Sequence, residues 1–181
     1  MQNTIDEKKQ IDSDIEFQEI LSDILQNETV LKMKNFRQHF HTSCYDHCLS
    51  VAYLNYVLCK KLGLDYKSAA RAGMLHDLFL YDWRKPRPDG KGLHAFRHPR
   101  AALNNASKLF DLNEKEKDII LKHMWPLTVV LPKYKESYII TLTDKYATFL
   151  ENKESVKHNF KMQRLYRYAY VFLSLLIIRV V

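Results

Sequence analysis

A histidine and an aspartate, His76-Asp77, stand side by side at the end of the run Ala69-Ala70-Arg71-Ala72-Gly73-Met74-Leu75, and Leu78-Phe79-Leu80 follow them. A run of that composition forms a buried helix. Two polar groups can finish such a helix only if the fold brings them partners, because an unpaired buried polar or charged group is costly. A divalent cation suits both at once, since imidazole nitrogen and carboxylate oxygen bind the same metals. On an ideal helix adjacent side chains diverge by about 100°, so both reach one site only at a helix end or a distortion. A cation there would need further ligands, and the chain offers candidates in order: His47 before the pair, then His98, His123 and Asp144 after it, although a salt bridge would also satisfy Asp144.

The rest of the chain reads as helices. It has 181 residues, 46% hydrophobic and 12% aromatic, enough for one packed domain. Only 4 Gly and 5 Pro interrupt it, which favours helices joined by short loops. Ser13-Asp14-Ile15-Glu16 has the form of a capping box, opening an amphipathic helix with Ile15, Ile20, Leu21, Ile24 and Leu25 that ends near Asn27. A short helix is expected over 30–36 and a loop over 38–43, with Thr42 or Ser43 as the next N-cap. A long helix is predicted over 44–62, stopped by Gly63, with His47 on the face of Val51, Leu54 and Leu58. Asp65 caps the helix that ends in His76-Asp77. Residues 81–97, with Pro86, Pro88, Gly90 and Gly92, form the longest irregular stretch, and long loops are often functional. Pro99 suits a first helical turn with His98 at the cap position, and that helix should reach Phe110. Asn113, Glu114 and Glu116 open another, ending at His123 before Pro126. A helix over 135–151 carries Asp144, and a last one runs from about Glu154 to the end. Thr128-Val129-Val130-Leu131 is β-prone.

The formal charge of +7 suggests an anionic ligand such as phosphate or a nucleotide. The positive charges are dispersed and show no recognition motif, which disfavours specific nucleic-acid binding. Cys44, Cys48 and Cys59 are odd in number, and the N-terminus is polar, with no apolar signal core; a reduced, cytoplasmic setting is expected. Cys44 and Cys48 could share a helix face, but no second Cys pair completes a zinc site, so they read as buried thiols. The apolar stretch 170–178 lies between Arg167 and Arg179, short of the roughly 20 residues that span a bilayer. It reads as a core helix or half of a homodimer interface rather than a stable membrane insertion.

The order His47, His76-Asp77, Asp144 resembles the HD-domain superfamily of metal-dependent phosphohydrolases. Tyr45-Asp46-His47-Cys48-Leu49-Ser50-Val51-Ala52 resembles that family's first-histidine helix, and Ala70-Arg71-Ala72-Gly73-Met74-Leu75-His76-Asp77 its second. The likeness spans about residues 40–150. It implies an all-α, single-domain orthogonal helical bundle with a metal-binding core (39–151); the residues on either side read as N-terminal helices packing on that core (1–38) and an apolar C-terminal helix of the same domain (152–181). Two-metal members carry two more histidines between the pair and the last Asp. His98 and His123 occupy that interval, with His94 as the alternative to His98. By this likeness His47, His76, Asp77 and Asp144 hold one ion, and Asp77, His98 and His123 a second. Asp77 would bridge the two as the central catalytic group. His39 and His41 would line the entrance, while His158 belongs to a polar surface stretch.

Two ions roughly 3.5–4 Å apart clamp attacking and leaving oxygens and acidify the water between them. The resemblance thus implies hydrolysis of a phosphoester or phosphoanhydride, in a nucleotide. The chain has no phosphate loop of the form G-x-x-x-x-G-K-[ST]. Lys145, Arg84 and Arg97 are the candidate phosphate contacts, with Lys85, Arg87 and Arg100 nearby, and Trp83 and Trp125 are candidate base-stacking rings. A ligand set without thiolate suits one or two ions of Fe, Mn, Co, Ni or Zn. The alternatives are a di-iron oxygenase on the same fold and a catalytically silent nucleotide-binding domain.

Overall fold

The computed structural model describes residues 9–39, 42–85 and 93–156, and over these the chain is an all-α bundle with one two-stranded hairpin. After a helical stretch at 9–13 come α1 (Ile15–Ile20), α2 (Ser22–Leu25), α3 (Glu28–Leu31) and a 3-10 turn (Lys32–Asn35). Strands β1 (Arg37–His39) and β2 (Thr42–Ser43) lead into α4 (Cys44–Lys61). Then follow α5 (Tyr66–Leu75), α6 (His94–Leu109), α7 (Glu114–Lys122) and α8 (Lys135–Val156).

Capping explains where the main helices begin. Ser43 accepts from the Asp46 amide, Asp65 from the Ser68 amide, and Asn113 with Glu116 forms a reciprocal capping box. At its other end α4 stops at Gly63, whose φ of +66° is the left-handed conformation glycine adopts without cost. These boundaries agree with the sequence reading.

Helix α5 lies between α4, α7 and α8, and its small residues Ala69, Ala70, Ala72 and Gly73 let the others close on it. A Cβ at Gly73 would lie 2.8 Å from Ala52 Cα and 2.8 Å from Asn55 Nδ2. The spacing of α4 and α5, and with it the reach of His47 toward His76, thus depends on a residue with no side chain. Buried Asn55 ties three helices together: Nδ2 donates to Ala69 O (3.3 Å), and Oδ1 accepts from Thr143 Oγ1 (2.6 Å), beside Asp144. Phe17, Leu21, Ile24, Val30 and Met33, all fully buried, belong to the same core as α4 and α5. Arg71 joins this N-terminal part to α7, with a fork onto Asp23 and Nε on Glu116.

Several expectations need correction. The first N-cap is Asp14, which accepts from the Phe17 amide, and the helix after it breaks at Leu21. Residues expected as a loop at 38–43 contribute to the hairpin. Helix α6 begins at His94, about a turn and a half before Pro99. Pro99 therefore sits inside the helix, where its missing N–H leaves a gap in the ladder. The early start comes with ring packing that a local proline rule does not register: His94 lies against Phe79, Tyr81, Trp83 and His98. Helix α8 continues unbroken past Glu151 to Val156, so the expected break before Glu154 does not occur. The β-prone stretch 128–131 forms no strand; Val129 is 89% exposed, and Pro126 and Pro132 bracket the segment.

No described helix is long and apolar enough to cross a membrane. His41, Pro86, Arg87, Pro88, Gly90, Gly92, His158 and the apolar stretch 170–178, on which the dimer expectation rests, lie outside the described residues.

Candidate metal centre

The end of α5 resolves the problem that adjacent His76 and Asp77 pose. His76 is the C-cap residue and Asp77 lies beyond it, so both side chains turn into the same space. His47 enters from the first turn of α4, Asp144 from the middle of α8, His98 from α6 and His123 from the C-cap of α7. All six expected ligands meet there. His47 Nε2 lies 3.1 Å from Asp144 Oδ1, and His76 Nε2 lies 3.7 Å from that oxygen and 3.6 Å from Asp77 Oδ2. On the other side, Asp77 Oδ1 lies 3.3 Å from His98 Nε2 and 3.7 Å from His123 Nε2. It is His98 that approaches Asp77; His94 stacks behind it, ring centroids 4.5 Å apart.

The backbone sets which nitrogen of each ring faces inward. Nδ1 of His76 meets Gly73 O at 2.7 Å, that of His98 meets His94 O at 3.0 Å, and that of His123 meets Ile120 O at 2.8 Å. A carbonyl only accepts, so each Nδ1 carries a proton and each ring turns its Nε2 inward. This is the outer-shell arrangement of metal-binding histidines. His47 differs: its Nδ1 donates to a carboxylate, Glu151 Oε1, at 2.9 Å.

Two observations test the fit to a cation. His76 Nε2 and Asp77 Oδ1 are buried and have no hydrogen-bond partner. His98 Nε2 and His123 Nε2 face each other at 2.8 Å. Two lone pairs repel at that distance unless a proton or a metal ion lies between them. Ligand bonds of about 2.0–2.2 Å at ordinary coordination angles put donor atoms about 3–3.5 Å apart, close to the separations found. The groups His47, His76, Asp144 and His76, Asp77, His123 could each hold a metal ion.

The charges of the two groups differ. Burial opposes a charged His47 ring, but the bonds to Asp144 and Glu151 outweigh it and raise its pKa well above the ordinary value. Burial likewise opposes a charged His76, and Asp77 and Asp144 overcome it. Burial, with His76 and His98 nearby, pushes His123 down to about 3. Burial works to raise both carboxyls, but the surrounding imidazoles hold Asp77 below its usual range and Asp144 well below it. Solvent reaches the cluster from the Asp144 side, where that side chain keeps 14% exposure against 4% for Asp77.

The expected phosphate contacts are less concentrated. Lys145 Nζ donates to Thr141 O (3.0 Å) and Trp125 O (3.3 Å). Arg84 donates to the carbonyls of Arg37 and Gln38. Arg97 is half-buried on α6 beside His98. Trp83 carries the Arg84 guanidinium on its ring and stacks on His94, while Trp125 packs edge-on against Tyr138. Cys44, Cys48 and Cys59 are buried free thiols, as the sequence suggested.

Two site residues escaped the sequence reading. Glu151 could have been found, since it lies seven residues after Asp144 and so shares its helix face. Gln38, whose amide reaches Asp77, sits in a polar stretch with nothing to mark it. Comparison of the chain with protein-family models, with curated proteins and with solved structures finds no match.

Proposed function

We propose that the chain is an HD-type metal-dependent phosphohydrolase acting on a phosphoester or phosphoanhydride, in a nucleotide. The observation that carries this reading is the opposed pair His98 Nε2 and His123 Nε2 at 2.8 Å beside a partnerless Asp77 Oδ1. His47, His76, Asp77 and Asp144 would hold one ion, and Asp77, His98 and His123 a second. A divalent pair of this kind supplies Lewis acidity toward phosphoryl oxygens and lowers the pKa of bound water.

The chain's own residues supply the rest. The backbone carbonyls of Gly73, His94 and Ile120 keep three rings in one tautomer, and Glu151 orients the fourth. Asp77, set between the two groups, is the bridging ligand in this reading. Basic side chains, Lys145 next to Asp144 and Arg97 next to His98 among them, would receive the phosphate. The ligand set fits Fe, Mn, Co, Ni or Zn.

The test is metal analysis of protein purified without chelator, followed by a nucleotide phosphatase screen with added Mn or Fe under nitrogen. Bound metal and anaerobic release of phosphate are expected. Metal-free protein that stays inactive with every added ion would end the proposal.

A further inference from the structure

Gln38 and Arg84 lie outside the six candidate ligands, yet their contacts lead to Asp77. Strand pairing sets Arg37 opposite Ser43 and His39 opposite Thr42. Two steps on β1 thus face one on β2, and Gln38 is the extra residue of a bulge. A bulge re-aims a side chain: Arg37 is exposed while Gln38 is only 8% exposed. Gln38 Nε2 donates to Asp77 Oδ2. A flipped amide would set its oxygen against the carboxylate, so the orientation follows from chemistry. Gln38 Oε1 is then left buried without a partner, an acceptor beside the cation cluster.

The backbone of the bulge is held in turn. Arg84 donates from Nη1 to Arg37 O and from Nη2 to Gln38 O, the latter at 2.9 Å. A rigid guanidinium spans two carbonyls in a way a lysine ammonium does not. The guanidinium also lies 4.5 Å over the Trp83 ring. Trp83 stacks on His94 with an interplanar angle of 14°, and His94 on His98 with 22°. Arg84 is thereby fixed from the side of the second ligand group as well.

Resting on the reading of the cluster as a metal centre, we infer that Gln38 and Arg84 form a positioning strut for Asp77. Arg84 holds the bulge, the bulge holds the amide, and the amide sets how the carboxylate faces the two groups. The free Oε1 receives a proton donor at the site, a water or a substrate hydroxyl. Arg84 accordingly acts through Gln38 and not on phosphate.

The test is calorimetric titration of chelator-stripped full-length protein with Mn2+, comparing wild type, Gln38→Met, Arg84→Ala and the double variant. Far-UV circular dichroism checks folding, and visible spectra of the Co2+-loaded forms report ligand geometry. Gln38→Met should weaken metal binding about 10- to 100-fold with unchanged stoichiometry. Arg84→Ala should weaken it less and alter the Co2+ spectrum in the same sense. The double variant should be no weaker than Gln38→Met, since one residue acts through the other. Wild-type affinity and spectrum in Gln38→Met overturn the strut. So does an additive double variant, or an Arg84→Ala that changes only the KM of a phosphorylated substrate. Should Gln38→Met not fold, Arg84→Ala, whose side chain is exposed, decides alone: unchanged metal affinity overturns the inference. A wild type that takes up no metal overturns the metal reading, and the strut with it.

Discussion

The two halves of the cluster surround similar rings with different partners. In the half made by His47, His76 and Asp144, carboxylates hold the His47 ring: Asp144 and Glu151 flank it, and its pKa rises. In the half made by Asp77, His98 and His123, neutral backbone carbonyls hold the rings, and burial keeps His123 unprotonated down to about 3. The first half rests on long helices tied through Asn55; the second lies against the stacked rings of His94 and Trp83. Carboxylate partners keep protons on a ring, so a metal must displace them. Carbonyl partners leave a lone pair ready for it.

Asp77 belongs to both halves, so Asp77→Ala should have the largest effect. Elemental analysis should find both ions lost, and activity should fall by more than the ~100-fold that an outer-shell change causes. Retention of either ion would break the symmetry assumed for Asp77. Glu151→Gln keeps an acceptor for His47 Nδ1 but removes the charge. It should weaken binding about 10-fold or more in the first half alone, read as one altered step in a two-step Mn2+ titration.

Gly73→Ala tests the scaffold of the first half. Its new Cβ meets Ala52 backbone at 2.8 Å, and urea denaturation should show a loss of about 1–3 kcal/mol, typical of overpacking.

The smallest effects concern protons. At pH 7 metal uptake should release a proton from His47 but none from His123. Indicator-dye titrations should therefore show less release in His47→Gln than in His123→Gln. The metal-free protein carries the same contrast in its stability. His47 is raised in the folded state, so its contribution is complete below the unfolded value of 6.5 and disappears as pH climbs through the folded one. His123 is depressed, so its contribution is present above 6.5 and is lost as pH falls toward about 3. His123→Gln should flatten the acid side of the stability curve, and His47→Gln the alkaline side.

Much of this architecture was legible residue by residue. The caps Ser43, Asp65 and Asn113 and the stop at Gly63 act within one turn of the chain, so local rules locate them. Helical periodicity likewise marked His47 as buried. The start of α6 was misread because Pro99 is a local signal, whereas the rings packed on His94 come from Phe79, Tyr81 and Trp83, more than ten residues away. The bonds of Arg84 to the Arg37 and Gln38 carbonyls were not legible, because charge is visible in a sequence and a pair of carbonyl acceptors is not.

By itself the amino-acid order determined most helix boundaries, because hydrophobic period and capping are short-range properties of the chain, and the order of its histidines and aspartates singled out the six side chains that converge. Tertiary structure alone decided that Gly73 sets the helix spacing, that carbonyls fix three tautomers, and that Gln38 touches Asp77. Those outcomes depend on distances across the bundle, which only the packed fold determines.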